Sequence, residues 1–161
     1  MAIDYVNKIT TFVDLLKAHN TTTASPDLSA SLTTRIQTIT TAEPDVTGSR
    51  HGFFPLLNVE LSQASEEETQ IGDFTGRRKI KDITYNVWGF YKKEGISKNQ
   101  SQQLTDFYQL ASNVEAVIKK ESTLSGTALH VGVVNTSFTE RRDNNLIKVL
   151  KIETSVRYFY S

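Results

Sequence analysis

The chain has 161 residues, 18 of them basic and 18 acidic, and it holds no cysteine. That length suits one domain, 1–161, able to bury roughly 70% of the surface its unfolded chain exposes, so no metal or disulfide staple is needed. The missing cysteines exclude disulfides, thiolate catalysis and cysteine-ligated zinc, and the zero formal charge argues against a dedicated nucleic-acid binder, which is normally basic.

The apolar share, 38%, is low for a self-contained globule. Surface polarity, long loops or a partner that completes the fold would each account for it. No apolar run is long enough to span a bilayer, so no membrane partner is expected. The N-terminus, Met-Ala-Ile-Asp-Tyr, has neither a basic region nor an apolar one, so a reducing cytoplasm is the expected place of folding.

Residues 3–18 read as an amphipathic helix. Val6, Ile9, Val13 and Leu16 keep helical spacing, and Phe12 widens the stripe. Asp4 near its start and Lys17 near its end suit the helix dipole. Residues 20–50 are rich in threonine and serine. Little there can build a core, so a polar loop or an arm lying on a neighbouring subunit is expected. One minor strand is plausible over Arg35–Thr41, since Thr and Ile favour extended backbone.

A proline-led strand follows in His51–Leu61, with Leu57, Val59 and Leu61 on one face. Ser62–Lys79 then reads as a charged connection, with Glu66, Glu67 and Glu68 before Arg77 and Arg78. At roughly fifteen residues it is longer than a hairpin between adjacent strands needs. Ile80–Lys92 is a long strand. Ile83, Tyr85, Val87 and Tyr91 share one face, while Trp88 and Phe90 lie on the other. Aromatics on both faces imply that something covers the second, either the chain's own polar segment or another subunit.

Ser97–Glu121 reads as a second helix, with Leu104, Phe107, Tyr108, Ala111, Val114, Val117 and Ile118 as one stripe and Ser97/Gln100 as a capping box. Leu129–Phe138 is a strand. The polar run Glu140–Asn145 turns it into a last strand, Leu146–Ser161, so the two form a hairpin. The fold class is therefore α+β: an antiparallel sheet of four to five strands with two helices packed on one face.

Nothing in this sequence points to catalysis. His19, His51 and His130 are far apart and lack metal-ligand spacing. There is no nucleophile elbow and no phosphate-binding loop. The expectation is a protein that is not an enzyme, with no cofactor and no metal.

The element order resembles the tail terminator proteins of long-tailed bacteriophages, also called tail-completion or head-tail joining proteins. The residues that carry the likeness are the opening helix Ile3–Ala18, the segments FFPLLNVELSQASEEE and RKIKDITYNVWGFYKKEG, the helix QLTDFYQLASNVEAVIKK, and the strands ALHVGVVNTSFTERRDN and LIKVLKIETSVRYFYS. The resemblance implies a ring, usually a hexamer, at the head-proximal end of the tail tube, within a virion assembled in the host cytoplasm. Its implied partners are copies of itself, the tail tube protein and a neck or head-completion protein. DNA would pass through the lumen without sequence-specific binding. Position and composition point to three interface regions: Glu66, Glu67, Glu68, Arg77 and Arg78; Trp88 and Phe90; and Glu140, Arg141, Arg142 and Asp143. Alternative readings are another neck component, such as a head-closure or adaptor protein, and a small ligand-binding or enzymatic α+β domain.

Overall fold

Asp4 starts the first helix, α1 (Tyr5–Ala18), by accepting a 3.0 Å hydrogen bond from the Asn7 amide. An N-cap of this kind satisfies one of the orphan amides of the first turn. The helix buries Phe12, Val13 and Leu16. The computed structural model describes residues 3–41, 54–69, 78–92, 100–124, 126, 128–140 and 147–160. Ser97 and His51 lie outside them.

The remaining elements are β1 (Thr38–Thr40), β2 (Leu56–Thr69), β3 (Arg78–Lys92), α2 (Gln100–Lys120), β4 (His130–Glu140) and β5 (Ile147–Tyr160). The strands form one five-stranded sheet in the order β1-β2-β3-β5-β4. Three ladders are antiparallel, and β4 with β5 makes the expected hairpin, running from His130↔Arg157 to Glu140↔Lys148. The sheet is nevertheless mixed, which corrects the antiparallel expectation. β1 pairs with β2 in parallel, Thr38↔Leu56 to Thr40↔Asn58. Parallel neighbours cannot be joined by a tight turn, and these two are separated in sequence by residues 41–55.

A second correction concerns strand length. β2 does not stop at Leu61 but runs to Thr69, and β3 starts at Arg78. Glu66, Glu67 and Glu68 therefore sit in a strand, opposite Lys81, Ile80 and Lys79. Past Leu61 the β2 sequence is polar on both faces, so it carries no apolar alternation. The backbone ladder to β3 keeps it extended, and the register shifts once, between Leu61 and Gln63, as a β-bulge does.

A third correction falls on the threonine-rich segment. Leu28, Ile36 and Ile39 are buried in the main core. The turns around them are tied by polar groups. Arg35 donates to both oxygens of Asp27, at 2.8 and 3.0 Å. The Ser29 hydroxyl accepts the Ile36 amide and donates to the Asn20 side chain. Asn113, buried on α2, donates to the carbonyls of Leu28 and Ala30 at 3.1 and 2.8 Å. Its side chain thus satisfies turn carbonyls that would otherwise be buried unpaired, which is costly.

One core takes side chains from both helices and from register neighbours along the sheet. Phe12 and Leu16 of α1 and Phe107, Leu110, Val114 and Ile118 of α2 belong to it, with Val59, Val87, Ile152, Ile83 and Val156. Phe12 stacks on Tyr85, with ring centroids 4.9 Å apart. The hydroxyls of Tyr85 and Tyr158 meet at 3.2 Å within the core. Burial pushes both phenols above their ordinary ionisation range. Leu56, Ile147 and Val149, on alternate positions of β2 and β5, form a smaller cluster with Phe54, which precedes β2.

Candidate interface

Those of the expected interface residues that the structure describes fall at the two ends of the sheet. Glu66 is exposed on β2, and Lys81 Nζ lies 3.7 Å from its carboxylate. Glu67, Glu68 and Arg78 are placed by the ladder alone, Arg78 opposite Thr69. Arg77 lies outside the described residues, as do Arg141, Arg142 and Asp143. Glu140 closes β4, where it takes the Lys148 ammonium.

Trp88 and Phe90 lie toward the same end as Glu140, because Phe90 pairs with Val149 and Tyr91 with Lys148. Both are half-buried against Phe54, Leu56, Ile147 and Val149. They therefore cover a satellite core of this chain. Trp88 also donates its indole N–H to Glu60 at 2.9 Å, and Asn86 donates to the same oxygen at 3.0 Å. The Lys151 ammonium sits 5.3 Å from the Trp88 ring centroid, a cation–π contact. The sheet thus brings Trp88, Phe90 and Glu140 to one end and holds Glu66–Glu68 with Arg78 at the other.

The face that carries Trp88 also holds a charged row. Asp82 and Arg157 are ladder partners, and the guanidinium grips the carboxylate at 2.8 and 2.9 Å. That hydrogen bond holds the Asp82 carboxyl below its ordinary value. The same fork between Arg35 and Asp27 lowers Asp27.

The sequence did not disclose an exposed aromatic surface. Leu104 and Tyr108 read as part of the buried stripe of α2, yet they are 37% and 52% exposed. Phe138 on β4 is 47% exposed and makes edge-on contacts with Phe107 at 5.6 Å and Tyr108 at 5.3 Å. This aromatic shelf borders the outermost strand, β4, along which Val134 is 65% exposed. Helical periodicity could not reveal it. Periodicity places Tyr108 beside Phe107, but only the fold shows that Phe138 of β4 is its neighbour. Among the described residues no group of His, Asp and Glu is arranged to hold a metal ion.

No family model matches the chain, and no curated protein matches it. Among solved structures, the chain is similar to one described as the virion of a native gene transfer agent particle. The likeness has a TM-score of 0.45 and 10% sequence identity, and it covers 92% of this chain and 94% of that one.

Proposed function

We propose that this chain is a structural, non-enzymatic virion protein of the tail-terminator kind. In this reading both helices shield one side of the sheet, and copies join into a ring of six at the head-proximal end of the tail tube. The ring ends tube growth, offers its other surface to a neck or head-completion protein, and lets DNA pass through its lumen without reading sequence. The ends of the sheet, including Glu66–Glu68 with Arg77 and Arg78 and the turn Glu140–Asp143, make its contacts.

One observation carries the reading: β2 continues past Leu61 with no strand partner on its outer side among the described residues, and its residues Ser62–Glu66 are exposed. Ordering extended backbone costs about 1–2 kcal/mol per residue, and this stretch gains little apolar burial in return. A ladder with an open outer edge is a docking template. The order α1, β1–β3, α2, β4, β5 is the order on which the likeness to tail terminators rests.

The test is to add the purified protein to polymerising tail tubes. Tubes capped at one end and arrested in length are expected, and an unchanged length distribution would defeat the proposal. Replacing Arg77 and Arg78 with Glu should leave a folded monomer that caps poorly.

A further inference from the structure

Two stretches of the sheet lack a strand partner on one side among the described residues: β2 beyond Asn58, and the outer edge of β4. The Val131 amide fixes the phase of that outer edge, because it donates outward to the Ser122 carbonyl at 2.8 Å. Alternate residues of a strand present their amides to the same side. Val133, and past the bulge Thr136 and Phe138, therefore turn their backbone groups to the open edge.

The two edges are treated differently. Val131–Thr139 contains no charge and no proline. A protein that stays alone blunts such an edge with lysine, proline or a bulge. Here the bulge sits at Val134 only, and Asn135–Thr139 pairs regularly with β5. The β2 stretch leads into Glu66–Glu68, whereas β4 begins with exposed His130, the ladder neighbour of Arg157.

We infer that the β4 edge of one copy pairs with the open stretch of β2 on the next copy, so that one sheet continues from subunit to subunit. The inference deepens the ring proposed above and rests on it. Strand polarity favours this occupant. β2 and β5 run one way, and β3 and β4 the other. Rotation about an axis along the strands preserves these directions, so β2 of the next copy lies antiparallel to β4 and the alternation is unbroken. β1 sets the stagger, because it occupies Leu56–Asn58 and pairing can start only beyond it. Closed sheets require such a stagger. The contact is heterologous, as a ring demands.

The cysteine-free sequence makes this directly testable. Full-length chains carrying Asn135→Cys together with Ser62→Cys, Gln63→Cys or Ser65→Cys would be assembled on tail tubes, imaged, oxidised and run on denaturing gels without reductant. A ladder of covalent oligomers is expected from at least one pair. It should disappear when either cysteine is omitted, and the linked peptides should join β4 to β2. Rings that form yet give no ladder from any pair would overturn the pairing and leave the ring standing. Dimers from Asn135→Cys alone would overturn it too, in favour of a two-fold β4–β4 contact. If no ring forms on the tubes, the proposed function fails first and the pairing fails with it.

Discussion

Val156 offers the sharpest test of how the core is built. It lies on β5, second from one edge of the sheet, paired with Ile83 of β3 on one side and Val131 of β4 on the other. It is fully buried in the cluster that also holds side chains of both helices. Val156→Asp forfeits about 1.5–3 kcal/mol of apolar burial. Desolvating the carboxyl adds at least about 1–3 kcal/mol even if it takes up a proton. The combined cost of about 3–6 kcal/mol is comparable to the whole stability of a domain, about 5–15 kcal/mol. Val156→Ala loses only methyl groups, at about 0.8 kcal/mol each plus a small cavity. It should lower the melting temperature by about 4–8 °C, taking about 2–4 °C per kcal/mol for a chain of this size. Urea titration followed by circular dichroism, with Val156→Ala as the graded control, measures both. A Val156→Asp protein that unfolds at the same urea midpoint as the parent would refute the placement of this residue, and with it the register of β5.

Other outcomes follow from single contacts. Phe12→Ala removes the ring stacked on Tyr85 and should cost about 3–5 kcal/mol by urea titration. A methyl group at Gly89 would stand 3.1 Å from Leu150 Cδ2 and 3.4 Å from Leu57 Cδ2, so Gly89→Ala should destabilise by about 1–3 kcal/mol through overpacking. Because Asp27 and Asp82 ionise more readily folded than unfolded, each adds stability that is present above the unfolded value of 3.8 and is lost as pH falls through the lower folded one. Acid titration of the urea midpoint should flatten in that range in Asp82→Asn. In spectrophotometric titration, Tyr85 and Tyr158 should ionise above the exposed tyrosines and only as the chain unfolds.

The legible parts of the fold were those where burial alternates. α1, β3 and β5 have one side in the core, so their apolar spacing marks them to within a few residues. The distal half of β2 was illegible for the opposite reason. Ser62–Glu66 are all exposed, and a strand held mainly by its neighbour's backbone leaves no mark in apolar side-chain pattern. Leu28 and Ile36 were missed because each is a lone apolar residue among polar ones, buried by turns whose shape comes from Asp27, Ser29 and Arg35. The parallel docking of β1 depends on a partner beginning sixteen positions further on, at Leu56, and local composition cannot encode it. Among the interface residues, Trp88 and Phe90 were rightly seen to face away from the main core. What covers that face is in part a satellite cluster of the same chain.

The side chain of Asn113 has a consequence for the order of events at the ribosome. The carbonyls of Leu28 and Ala30 receive its amide from 85 and 83 residues downstream. At a synthesis rate of about 5–20 residues per second, the opening third of the polypeptide waits on the order of 4–17 seconds for that donor. Throughout that interval the polar turns that follow the amino-terminal helix lack the donor that satisfies their carbonyls. Nascent chains arrested before Asn113 should therefore be protease-sensitive across their first forty positions, and those arrested after α2 has emerged should resist cleavage there.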